Sequence, residues 1–115
     1  MNHPKITVVG IGPGALESIT PAVADAIRRA DAVVGYKYYF RFIESLLGPA
    51  AQCVDTGMKQ ERERAAEAFR LAEEGRSVCI VSSGDAGIYG MAPLVLEMAR
   101  ERNSSVEIEV LPGIS

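Results

Sequence analysis

Short apolar runs and amphipathic stretches alternate along this chain. Residues 5–10 (KITVVG) form a β-branched run that closes on glycine and read as a buried strand. Thr20-Pro21 reads as a helix start, with Thr20 as N-cap and Pro21 in the first helical position. Val23, Ala26, Ile27 and Ala30 then recur on one helical face. Ala32–Gly35 (AVVG) reads as a second strand. Tyr39, Phe42, Ile43, Leu46 and Leu47 repeat the helical spacing until Gly48-Pro49 stops it. Gln52–Asp55 is a weak third strand. Residues 60–74 form a charged helix with Ala65, Ala68, Phe69 and Ala72 turned inward, and Gly75 ends it. Residues 77–81 (SVCIV) are the most apolar strand. Met91, Leu94, Val95 and Met98 stripe a last helix, with Pro93 in its first turn. Residues 106–111 point Val106, Ile108 and Val110 inward, with Glu107 and Glu109 between them, as an edge-like fifth strand.

Strand and helix in alternation imply an α/β fold: a mostly parallel five-stranded sheet with helices on both faces, in one domain over residues 1–115. Ligands of such sheets gather beyond the carboxyl ends of the strands. Two glycine-rich segments fall there. The first, Gly10-Ile11-Gly12-Pro13-Gly14-Ala15, matches a dinucleotide fingerprint in form only. The next helix opens several residues late, Pro13 lacks an amide donor, and no acid closes the second strand. A phosphate-binding Gly-Lys-Ser/Thr is absent. The glycines still let the backbone turn tightly and let a ligand approach, or serve a plain strand-to-helix turn. The second segment, residues 82–90 (SSGDAGIYG), reads as a loop. Its polar groups suit an amino-acid moiety and a ribose, while Asp85 equally suits a turn or a helix cap.

Composition narrows the picture further. A net charge of −3 gives no basic field for nucleic acid or anionic lipid. Cys53 and Cys79 have no metal-ligand spacing and read as buried or half-buried thiols of a reducing compartment. With the lone His3 near the start, no metal site is expected. No apolar run reaches the length of a membrane span and no signal-peptide pattern opens the chain, so the expected location is cytoplasmic.

Several segments, in order and at fitting spacings, resemble the tetrapyrrole methylase family over the whole chain. They are GIGPG after the first strand, Thr20-Pro21, SGDAGIYGM, and the closing strand followed by Pro112-Gly113-Ile114-Ser115. Residues 33–39 (VVGYKYY), Thr56-Gly57-Met58-Lys59 with the Glu/Arg helix after it, and residues 82–91 most resemble the branch that methylates C17 of precorrin-3B. The resemblance implies a two-domain enzyme of which this chain is the amino-terminal half, the carboxy-terminal domain being absent. It also implies S-adenosylmethionine as cofactor and a precorrin tetrapyrrole as substrate, both bound between the domains.

By the same resemblance, the cofactor is contacted at Pro13, Ser83, Gly84, Asp85, Ile88 and Ser115. Gly12, Gly14, Tyr36, Lys37, Lys59 and Tyr89 are candidates for the substrate side, with Arg62 a further cation for its carboxylates. The chain departs from the family at Ala15, where an acid is usual, and at Ala86, where proline is usual. The implied reaction is methyl transfer to C17 with ring contraction to precorrin-4, achieved by alignment and exclusion of water rather than by a nucleophilic residue. A cobalt-containing substrate, cobalt-factor III, or another precorrin remains open. So does a non-catalytic binding or assembly module made of this half alone. A homodimer is expected.

Overall fold

The computed structural model describes residues 4–11, 19–55 and 61–111, and for residues 83–89 the backbone alone. Five strands, β1 (Lys5–Ile11), β2 (Ala32–Gly35), β3 (Gln52–Asp55), β4 (Ser77–Ser83) and β5 (Glu107–Leu111), form one sheet in the order β3-β2-β4-β1-β5. Every pairing is parallel. Helices α1 (Pro21–Arg29), α2 (Lys37–Ile43), α3 (Glu61–Glu73) and α4 (Gly84–Glu101) carry the crossovers.

The handedness of those crossovers sorts the helices. α1 and α2 lead along the sheet towards β3 and lie on one face, where Val23, Ile27 and Ile43 pack on Val9, Val33, Cys79 and Val81. α3 and α4 lead the other way and lie on the opposite face, where Ala65, Phe69, Met91 and Val95 pack on Val8, Val34, Val78 and Ile80. A right-handed strand–helix–strand unit permits no other assignment. The most apolar strand, β4, is the central one and is covered on both faces, as its lack of polar alternation requires.

Local chemistry fixes the element ends. The Thr20 hydroxyl accepts the Val23 N–H at 3.2 Å, and Pro21 starts α1. Gly75 ends α3 at φ +98°, a conformation that disfavours any side chain. At the amino edge, the Asp31 carboxylate accepts the Ser77 N–H at 2.9 Å, while the Asp31 N–H donates to the Ser77 carbonyl at 2.8 Å. Together these tie the start of β2 to the start of β4. Beside the edge strand β5, Lys5 of β1 lies 2.8 Å from Glu109 and 3.7 Å from Glu107, and its ammonium is held above its usual pKa chiefly by the hydrogen bond to Glu109.

Four expectations need correction. Residues 82–90 are not a loop: β4 runs through Ser83 and α4 begins at Gly84. Each helical glycine costs about 1 kcal/mol relative to alanine, and the buried stripe of Met91, Val95 and Met98 outweighs that by anchoring the helix. Pro93 consequently lies inside α4 rather than in its first turn. It is exposed, so the carbonyl it leaves unpaired can turn to water. The helix over Tyr39–Leu47 is shorter than its spacing suggests. α2 stops at Ile43 and a 3-10 turn follows over Glu44–Leu46, which rolls Phe42 outward to 36% exposure. Cys53 is exposed on the edge strand β3, whereas Cys79 is buried, donates to the Ala26 carbonyl at 3.3 Å, and has its thiol pKa pushed by burial up to about 12.

Candidate functional site

Because the sheet is wholly parallel, all five carboxyl ends share one edge. β1 and β4 are neighbours there, in register from Lys5 against Ser77 to Ile11 against Ser83. The chain leaves β1 for α1 on one face and leaves β4 for α4 on the other. In sheets of this kind, connections that diverge from adjacent strands leave a crevice at the edge, the usual ligand position. Both glycine-rich segments leave from these two strands.

Just inside the carboxyl ends of these two strands lies an unusual group. Ser82 is 3% exposed, and its Oγ has no hydrogen-bond partner among the described residues. A buried hydroxyl without a partner is costly and rare. Its register partner in β1 is Gly10, which places no side chain beside it. α4 starts directly after β4, so its first backbone amides point out at the same edge with no partner inside the helix.

The rim towards β2 is aromatic and cationic. β2 stops pairing with β4 at Val34 against Ile80. Gly35 then passes so close that an added Cβ would stand 3.3 Å from the Val81 carbonyl oxygen and 3.4 Å from its Cβ. Tyr36 is half-buried and packs edge-on against Tyr38 and Tyr39, at 5.0 and 5.9 Å between centroids. Lys37 is exposed, with its ammonium 5.4 Å from the Tyr38 ring. The Lys37 N–H donates to Asp55 Oδ1 at 3.2 Å. Asp55, the last residue of β3, thereby caps α2 from a neighbouring strand, since the Tyr36 side chain does not cap it.

Of the residues singled out in the sequence, Tyr36 and Lys37 thus stand together at the carboxyl edge. Gly84, Asp85 and Ile88 occupy the first turns of α4, and Ser83 ends β4; their side chains and that of Tyr89 lie outside the described residues, as do Gly12, Pro13, Gly14, Lys59 and Ser115 altogether. Arg62 goes elsewhere: it pairs at 3.5 Å with Glu101, at the far end of α4 from the crevice. Ser82 and Asp55 were not singled out. A serine at the end of an apolar strand and an aspartate at the end of a weak one signal nothing until the register is known.

The fold and this edge define an α/β domain with a wholly parallel sheet, in which both glycine-rich segments start from neighbouring strands. The chain belongs to the tetrapyrrole (corrin/porphyrin) methylases, whose family model matches residues 5–115. It is 47% identical over 115 residues to the cobalt-factor III methyltransferase of Priestia megaterium, covering 96% of this chain and 21% of the relative. It is 43% identical over 110 residues to a probable cobalt-factor III C(17)-methyltransferase of Salmonella typhimurium, covering 96% and 45%. Among solved structures, the methyltransferase CobJ superposes with a TM-score of 0.81 at 36% identity, over 96% of this chain and 46% of that one. The chain therefore spans less than half the length of these relatives.

Proposed function

We propose that this chain is the amino-terminal half of an S-adenosylmethionine-dependent methyltransferase of cobalamin biosynthesis, acting on C17 of a precorrin-3B-type ring with contraction to precorrin-4. The observation that carries this reading is the pairing of β1 with β4, whose carboxyl ends lie side by side where such sheets take ligands and where both segments with the family's cofactor contacts start. The Ser82 hydroxyl, without a partner among the described residues, and the first amides of α4, which have none inside the helix, fit a polar, partly anionic ligand there. The relatives named for cobalt-factor III favour the cobalt-containing ring as the substrate form.

Pro13, Ser83, Gly84, Asp85, Ile88 and Ser115 would hold the cofactor, which when bound supplies a methyl group already activated on a sulfonium. The chain's own task is placement. Tyr36 offers a ring face near the crevice, and exposed Lys37 offers a cation to a carboxylate of the tetrapyrrole. Gly12 and Gly14 would let the macrocycle approach the backbone, and Lys59 and Tyr89 are further candidates for contact with it. Water must also be kept from the reacting carbon.

In the full-length protein, Asp85→Ala is expected to weaken S-adenosylmethionine binding by about tenfold or more, which is about 1.4 kcal/mol or more, while the melting temperature moves little. Calorimetric titration beside a thermal melt checks this. Unchanged affinity with a sharply lower melting temperature would leave Asp85 as a helix cap and remove it from the site. The reading includes a cytoplasmic homodimer. Exposed Tyr38 and Phe42, both on α2, supply apolar surface for self-association. Sedimentation over a wide concentration range is expected to give a dimer, and a strictly monomeric species at the highest concentration would refute it.

A further inference from the structure

We propose that the Ser82 hydroxyl binds ligand directly, donating a hydrogen bond to the carboxylate at the amino-acid end of S-adenosylmethionine; this rests on the methyltransferase reading above. Val78 and Ile80 point to the α3 and α4 face of the sheet. Strand alternation puts Ser82 on that face as well. The side chain is 3% exposed and its Oγ has no partner among the described residues. Neighbouring Gly10 brings no side chain to fill the space beside it. Two residues further on, α4 begins on the same face. Its first amides and its positive dipole end face the carboxyl edge.

A hydroxyl donor beside a helix amino terminus favours an anion. Of the groups on S-adenosylmethionine, only the carboxylate is anionic; the sulfonium and the ammonium are cations, and the ribose and adenine are neutral. The methyl donor would then enter the crevice amino-acid end first. Its carboxylate would lie at the floor, near the end of β4, with the nucleoside towards the opening.

The test compares two ligands in the full-length protein by calorimetry. S-adenosylhomocysteine carries the carboxylate, whereas 5′-methylthioadenosine keeps the nucleoside and thioether without the amino-acid end. Ser82→Ala is expected to lose about tenfold or more in affinity for the first and nothing for the second. Its melting temperature should hold or rise, because an unpaired buried hydroxyl is removed. Equal loss for both ligands would put the hydroxyl on the nucleoside and overturn the assignment. Unchanged affinity for S-adenosylhomocysteine would overturn it too, and a lower melting temperature alongside would give Ser82 a structural role. Should Ser82→Ala fail to fold, Ser82→Cys keeps the volume with a weak donor and is expected to show the same selective loss. If the unaltered protein binds neither ligand, the methyltransferase reading falls first and takes this assignment with it.

Discussion

Phe69→Ala is expected to cost about 3–5 kcal/mol of folding free energy, the range for truncating a buried phenylalanine. Phe69 is fully buried and is among the largest side chains of the core layer between the sheet and α3 with α4. Ile80 of β4 and Met91 and Val95 of α4 belong to the same core cluster and are themselves fully buried, so none can move in to fill the cavity without leaving another contact. The ring also carries the Arg102 guanidinium 5.3 Å from its centre, and Arg102 in turn pairs with Glu73 at 2.6 Å. Truncation removes that contact as well. Small domains have only about 5–15 kcal/mol in total, so a large share of the stability would go. Urea titration followed by circular dichroism measures it. Tyr38→Ala, at an exposed ring, is the control and should change stability by less than about 0.5 kcal/mol. Similar losses for the two variants would show that the α3 and α4 layer is not the main core.

Supplied with S-adenosylmethionine and its tetrapyrrole, the isolated 115-residue domain is expected to transfer no detectable methyl group. Methyl transfer between two bound molecules depends on their alignment, and alignment in well-built sites is equivalent to effective concentrations of about 10⁵–10⁸ M. On the proposed reading, this chain supplies only part of the site that aligns them. The chain covers 46% of CobJ, the solved relative it matches at a TM-score of 0.81. The rest of the site, on that reading, comes from the remainder of the protein. Transfer of a radiolabelled methyl group to the ring is the measurement. Turnover by the isolated domain at a rate near that of the full-length protein would mean that the site is complete within these residues.

The parts of the fold legible in the sequence are those set by local chemistry. Ala32–Gly35 and Gln52–Asp55 have the same bounds in the sequence reading and in the structure, because short β-branched or alternating runs bounded by turn residues have few alternatives. Thr20 and Gly75 mark helix ends through a single side-chain acceptor and a single backbone conformation. The segment 84–90 was misread because its glycines weaken a helix locally, while the force that holds it is the remote docking of Met91, Val95 and Met98. Within α2 the buried position is Ile43, and Phe42, one residue round the helix from it, faces outward.

The candidate site divides along the same line. Tyr36 and Lys37 follow a strand directly, so their place at the carboxyl edge can be read from order alone. Arg62 has the right charge, but its partner Glu101 is thirty-nine residues away and no local pattern announces it. Ser82 becomes notable only once the register sets it opposite Gly10 and the packing leaves its hydroxyl unpaired. Asp55 likewise gains its capping role from the side-by-side placement of β2 and β3.

The strand order also constrains how the chain can be made. β1 and β2 never touch, because β4 lies between them. While a ribosome has released only the residues before Ser77, the nascent chain holds a lone first strand and a separate two-stranded piece, β2 with β3. Neither can form a stable sheet by itself. The emergence of β4 joins them, closing pairs as distant in sequence as Lys5 and Ser77. Closures of that span are slow and leave unpaired edges waiting. The domain therefore has no productive partial fold during most of its synthesis, and the apolar first strand is the segment that a chaperone would have the longest opportunity to hold.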